Sequence, residues 1–336
     1  MKICSYKNPH LKGLPPRLGI IYNGQIIDPH LNFVAEYERE GFFNPWERAE
    51  VKCPSSLSKT LSLYEKPFET IEEGFAIALF NEKIGELETS QGIPLFYPLD
   101  SKESPITTPL DSVHSFRDFF CYEEHVKKAF RGSIPKEWYE GPIYFRQSHK
   151  NFIGHKDIIS WPSSSKKLDF EAELGVVIGL EGKNIKEHNA KNHIFGFTII
   201  NDISARDIQK KEWSLHLGPG KSKDFCTVVG PVIVTADEFE DFEHIPSMNM
   251  SIKANGKSLS ASNVNKSRYG LSEIISYASK DEWLLPTDLI GIGTVEKGSG
   301  FELEYYPKPN DKIELTLEGV GTLKNTFGMP QEEKSW

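Results

Sequence analysis

The chain has 336 residues, 38% hydrophobic and 12% aromatic, enough for a sizeable core and consistent with one large domain plus a smaller one. Its formal net charge of −9, with both signs mixed along the chain, argues against a nucleic-acid or anionic-membrane partner. The four cysteines (Cys4, Cys53, Cys121, Cys226) form no C-x-x-C pair, and neither an apolar leader nor a run of about 18 apolar residues is present, so a soluble protein of the reducing cytoplasm is expected, without disulfides or a thiolate zinc site.

Residues 1–105 read as a small N-terminal domain. "RLGIIYNGQIIDP" is strand, Asn23-Gly24 turn, strand. "SLSKTLSLYEKPFETIEEGFAIALFNEKIGEL" has apolar residues at helical spacing, interrupted near Pro67. Residues 99–112, "LDSKESPITTPLDS", are rich in Ser, Thr and Pro and read as a linker. From 113 to 336 the pattern is strand-rich. "RDFFCYEEHVKKAF" (117–130) is predicted to be a helix. Strands are predicted over 141–148, 168–180, 191–203, 224–235, "TDLIGIGT" and "DKIELTLEGVGTL". A second hairpin turns at Asn255-Gly256, and 270–279 is predicted helical. Many strands with few intervening helices favour a β-rich α+β roll or barrel over a doubly wound sheet.

"LDFEAELGVVIG" (168–179) ends in a continuous apolar run yet carries Asp169, Glu171 and Glu173. Alternation along a strand puts the three carboxylates on one face, with neighbours about 6–7 Å apart at the backbone, and Phe170, Ala172 and Leu174 on the other. Like charges at that spacing repel, and burial would strip their hydration, so a cation is the simplest compensation. Asp202 follows an apolar strand in "TIINDISARDIQ". Asp118 and His125 lie seven residues apart in the 117–130 helix, two turns on one face and about 10 Å apart along the axis, room for a small substrate. Oxygen-only ligation selects Mg²⁺, Ca²⁺ or Mn²⁺. Taken singly, an acidic pair on a strand is more often a solvated face, and a lone helical histidine more often a packing residue. "GIGTVEKGSG" (291–300) lacks the spacing and strand–helix context of a phosphate loop.

Three blocks, "LDFEAELGVVIG", "GFTIINDISARDIQKKEWSLHLGPGKSKDF" and "LLPTDLIGIGTVEKGSGFELE", resemble in order the signature blocks of the fumarylacetoacetate hydrolase family, over about residues 113–320. The resemblance implies a mixed β-sandwich roll, a homodimer, and one divalent cation, Mg²⁺ before Ca²⁺ or Mn²⁺. It maps the metal carboxylates onto Asp118, Glu171, Glu173 and Asp202. "DFFCYEEH" matches the subgroup nearest fumarylacetoacetase, which implies a catalytic His125 partnered by Glu302. Arg206, Gln209 and Lys221 match groups lining the reacting carbonyls. Arg131 matches a substrate-binding arginine, and Thr294 a residue that holds a substrate carboxylate. Two tyrosines of that subgroup are replaced, by Phe120 and Trp213. Counted four residues after Lys221, the threonine of a second cation site is Phe225 here.

The implied reaction is hydrolysis of the C–C bond of an acylpyruvate-type β-diketone acid, fumarylacetoacetate among them, as in aromatic amino-acid catabolism. Water is activated by His125 and Glu302, and Lys221, Gln209 and Arg206 stabilise the oxyanion. The same family also contains keto-acid decarboxylases, enol–keto tautomerases and dehydratases, which share the metal–enolate step. They form the alternative reading.

Overall fold

The computed structural model describes residues 1–63, 66–99, 101–102, 105–239 and 244–332. Tyr64 and Glu65 of the predicted 56–87 helical stretch, and Asp100, Glu103 and Ser104 of the predicted linker, lie outside the described residues.

The central strand is Glu171–Ile178, and every residue of it is buried. It pairs antiparallel with Ile194–Asp202 on one side and with Leu289–Ser299 on the other. Ala172, Leu174, Val176 and Ile178 pack into the main core with Ile252, Leu315 and Phe327. Those partners come from a second sheet of five strands, ordered 257–263, 249–254, 312–317, 321–330 and 158–161. Val177 faces the opposite way and packs with Ile3, Phe33, Ile200 and Leu289. Glu171 and Glu173 share the face of Val177. A slip of one residue would drive both carboxylates into the main core, so the apolar half of the strand fixes the register that presents them.

The large sheet runs in the order 96–98, 25–27, 17–22, 2–6, 233–235, 194–202, 171–178, 289–299, 116–119, 144–147. The predicted boundary between 1–105 and 113–336 therefore does not divide the sheet. Lys2–Tyr6 pairs antiparallel with Ile233–Thr235, with Lys2 opposite Val234 and Ile3 opposite Ile233. Both Asn-Gly hairpins form, with φ of 48° and 74° at Asn23 and Gly24 and of 51° and 78° at Asn255 and Gly256. These left-handed values suit the twist of the flanking strands. The helix Pro29–Arg39 starts at Asp28, whose side chain accepts from the Leu31 amide, with Pro29 in the first turn.

The predicted 117–130 helix is corrected. Phe116–Phe119 is a strand, and only Glu123–Ala129 is helical. The strand lies between Leu289–Ser299 and Tyr144–Gln147, and pairing on both sides overrides the helical spacing of its apolar residues. Among the described residues no helix is long and apolar enough to cross a membrane.

Candidate active site

Three strands of the large sheet, 194–202, 171–178 and 116–119, the last two separated by Leu289–Ser299, each deliver a carboxylate to one place. Asp118 sits opposite Gly291 in the parallel pair of Phe116–Phe119 with Leu289–Ser299. Glu173 stands opposite Thr294 and Ile200, and Asp202 ends the Ile194–Asp202 strand. One oxygen from each of Asp118, Glu173 and Asp202 lies within 4.8 Å of the others. All three residues are buried, yet Asp118 Oδ1, Glu173 Oε2 and Asp202 Oδ1 have no hydrogen-bond partner. Buried oxygens without partners are rare and costly. Gly291 keeps the floor open, since a Cβ there would lie 2.6 Å from Glu173 Oε2 and 3.1 Å from Asp118 Oδ1. Burial, and then the neighbouring carboxylates, push the Asp118 and Glu173 carboxyls well above their ordinary values. Burial also raises Asp202, against the pull of Lys223. Three unpartnered, mutually repelling carboxylate oxygens fit a hard divalent cation.

Glu171 is placed differently from the expected fourth ligand. Its two oxygens take Arg206 Nη2 at 2.5 Å and Lys223 Nζ at 2.5 Å. Burial alone would raise its carboxyl, but Arg206, Lys223 and His125 together hold it well below the usual range. Lys223 also pairs with Asp202. Gln147 Nε2 donates to Asp118 Oδ2 at 3.0 Å, and Thr294 Oγ1 donates to Glu173 Oε1 at 3.2 Å. The Thr294 hydroxyl, expected to hold a substrate carboxylate, here steadies a carboxylate of the protein.

His125 comes from the Glu123–Ala129 helix and not from a shared helix with Asp118. Its Nδ1 lies 2.9 Å from Glu302 Oε2, and its Nε2 lies 3.7 Å from Glu171 Oε1. The pairing selects the tautomer with the proton on Nδ1 and turns Nε2 toward Glu171. Glu302 is itself held: Ser299 Oγ donates to Oε2 at 2.9 Å and the Lys297 amide donates to Oε1 at 2.9 Å. Burial would raise Glu302, but His125, the Lys297 amide and Ser299 together lower the carboxyl.

Arg206 and Gln209 are one helical turn apart on Arg206–Ser214, and Arg206 Nη1 donates to Gln209 Oε1 at 2.9 Å. Lys221 is exposed, and the lysine beside the carboxylates is Lys223. The loop "GKSKDF" offers two lysines, and the one that pairs Glu171 and Asp202 is the second. Four residues on from Lys223 is Thr227, not Phe225; Thr227 is buried and donates to Gln147 Oε1 at 3.3 Å. Arg131 is exposed and, with Lys127, Lys297 and Glu302, lines a cavity of about 380 Å³ on the outer side of the dyad. Trp213 is 46% exposed and stands near the end of its helix. The Phe120 ring meets the His125 ring edge-on at 5.4 Å, so the imidazole has an apolar wall at the position where the fumarylacetoacetase-like subgroup carries a tyrosine.

Lys223, Gln147 and Gly291 were not singled out from the sequence. The glycine could have been found, because a conformationally free residue in the middle of a β-rich stretch signals close approach.

Oxygen ligands for a hard cation, a His–Glu pair beside them and a two-sheet roll define the class, and comparison with known proteins agrees. The profile "Fumarylacetoacetate (FAA) hydrolase C-terminal" matches residues 114–328. The chain belongs to the fumarylacetoacetate hydrolase family. It is 33% identical over 210 residues to "Oxaloacetate tautomerase YisK" of Bacillus subtilis (strain 168), covering 62% of this chain and 67% of that protein. It is 31% identical over 234 residues to "Oxaloacetate tautomerase fahd2, mitochondrial" of Xenopus laevis, covering 69% of this chain and 68% of that protein. The fumarylacetoacetate hydrolase of Exiguobacterium antarcticum shares the fold, with a TM-score of 0.68 at 22% identity over 98% of this chain and 99% of that one. The 2-hydroxyhepta-2,4-diene-1,7-dioate isomerase from Mycobacterium marinum aligns with a TM-score of 0.56 at 26% identity, over 69% of this chain and 80% of that one.

Proposed function

We propose that this protein is a divalent-metal-dependent enol–keto tautomerase of oxaloacetate or a 2-oxo dicarboxylate of similar size. The observation that carries the reading is the Glu302–His125 dyad, whose Nε2 faces the carboxylate cluster across 3.7 Å to Glu171. That arrangement supports a reading in which a proton carrier works beside a cation site.

A hard divalent cation held by Asp118, Glu173 and Asp202 would supply Lewis-acid polarisation of the 2-oxo group. The protein's own groups do the rest. Glu302 keeps the proton on Nδ1, so His125 Nε2 can accept or return a proton at the substrate carbon next to the carbonyl. The enol hydroxyl loses a proton, that carbon gains one, and no water is consumed. Arg206 and Lys223, already fixed on Glu171, and Gln209, held by Arg206, would steady the oxygen that carries charge between the two forms. Phe120 walls the base with hydrocarbon.

C–C hydrolysis of an acylpyruvate, the first expectation from the sequence, becomes the second reading. It needs the same dyad to activate water. Proton transfer alone is favoured because relatives at 31–33% identity carry the name oxaloacetate tautomerase, and because Phe120 and the exposed Trp213 replace two hydroxyls of the hydrolase subgroup.

The test follows loss of the enol absorbance of freshly dissolved oxaloacetate with Mg²⁺ or Mn²⁺, alongside pyruvate release and acetopyruvate cleavage. Enol loss faster than with metal alone, without pyruvate release, is the expected result. Acetopyruvate cleavage outpacing enol loss would overturn it in favour of the hydrolase.

A further inference from the structure

Asp169, the first acid of the alternating triplet, joins neither the metal trio nor the strand that carries Glu171. Leu168–Asp169 forms its own short ladder, with Asp169 opposite Ser204, and the Asp169 side chain has no exposure. Its Oδ2 accepts Arg206 Nε at 2.7 Å and the Phe301 amide at 2.9 Å, and Arg206 Nη2 lies 2.7 Å away. Its Oδ1 accepts the Phe170 amide at 2.8 Å. One carboxylate therefore touches both arms of the site. Arg206 carries on to Glu171 and Gln209. Phe301 lies in the short helix Gly300–Leu303, next to the Glu302 that orients His125.

The surroundings are shaped to this carboxylate. A Cβ on Gly300 would lie 2.3 Å from Asp169 Oδ1 and 2.0 Å from the Tyr305 carbonyl, so residue 300 has no room for a side chain while Asp169 stays in place. The Arg206 guanidinium also lies 5.5 Å from the centroid of the Phe301 ring, a second link between the same two arms.

We infer that Asp169 is the positioning residue that locks the Arg206–Glu171 arm and the Phe301–Glu302 arm into one geometry. Glu171 takes its orientation from a guanidinium that Asp169 fixes at two nitrogens. The dyad takes its orientation from a helix whose first turn Asp169 anchors. Outer partners of this kind typically set metal affinity or activity by about 10–100-fold. The kinetic part rests on the proposed tautomerase reading; the structural part does not.

The test is Asp169→Asn in the full chain. The amide has the same shape but presents a donor to the Arg206 fork. Amide hydrogen exchange is expected to quicken in both 206–214 and 297–303, while Mn²⁺ affinity at the untouched trio is retained. The kcat for oxaloacetate should fall roughly 10–100-fold, with KM changing much less. Wild-type exchange rates in either segment would overturn the inference. If Asp169→Asn does not fold, Arg206→Lys breaks the fork but keeps the Phe301–Asp169 bond. Loosening confined to 206–214, with a loss in kcat, is then expected, and unchanged exchange overturns the inference. Coupled loosening in a protein whose wild type tautomerises no 2-oxo acid would sink the tautomerase reading and leave the positioning role standing.

Discussion

Gly291 and Glu173 stand so close that only a hydrogen fits between them: a Cβ at 291 would lie 2.6 Å from Glu173 Oε2. The candidate cation site therefore depends on a missing side chain as much as on its three carboxylates.

For Gly291→Ala the carboxylates must move apart or tilt. Mn²⁺ affinity should weaken roughly 10–100-fold. Wild-type melting temperature should rise with added Mg²⁺ or Mn²⁺, because a ligand bound only by the native state stabilises it, and the variant should lose most of that rise. Equal metal-induced shifts in the two proteins would remove Gly291 from the site.

His125→Gln leaves the carboxylate trio intact and removes the proposed proton carrier. Turnover should fall about 10²–10⁴-fold, with Mn²⁺ binding by calorimetry essentially unchanged. Retained turnover would show that the base is another group.

Lys223 and Lys221 should behave oppositely although two residues apart. Lys223 is buried between Glu171 and Asp202. Lys223→Met leaves the buried Asp202 without its cation and Glu171 with Arg206 alone, which should cost about 3–5 kcal/mol by urea unfolding without metal. Lys221→Ala, on the exposed side of the loop, should stay within about 0.5 kcal/mol of wild type. Similar values for both variants would contradict the placement of the loop.

The N-terminal core should give acid sensitivity of its own. Asp28 accepts Arg17 Nε at 2.7 Å and Tyr6 Oη at 2.6 Å, with no exposure. Burial alone would raise its carboxyl, but Arg17 holds it below the usual range. The unfolded chain then binds the proton first as pH drops. Stability from the pair is whole above the unfolded carboxyl value of about 3.9 and is lost as pH falls through the lower folded value. The urea midpoint of wild type should therefore decline on acidification more steeply than that of Asp28→Asn. Parallel declines would point to other carboxylates.

Much of this was legible in the sequence because it is local. The alternation around Glu171 and Glu173 has a period of two and needs no partner to be read, and both Asn-Gly turns follow from backbone preferences. The ordered family blocks pointed to the carboxylates that the structure assembles from three strands. What was not legible depends on pairing between distant segments. Phe116–Phe119 is a strand because of neighbours far away in the chain, as the pairing of Phe119 with Tyr144 and of Phe116 with Leu289 shows. Which lysine of "GKSKDF" turns inward is set by how the loop packs on Asp202, and no spacing rule distinguishes Lys221 from Lys223. Alternation also misread Asp169, because the strand breaks at Phe170 and hands that carboxylate to a different ladder.

The Lys2–Tyr6 strand occupies the flank of Ile233–Thr235, so the opening segment acts as a hem on the sheet that bears the chemistry. A chain cut back to residue 113 would leave the outward amides and carbonyls of 233–235 without strand partners and uncover Val177 and Ile200. Such a bare selvedge invites pairing with another copy. Shortening this protein would thus turn a self-contained sheet into a sticky one before it altered any reacting group.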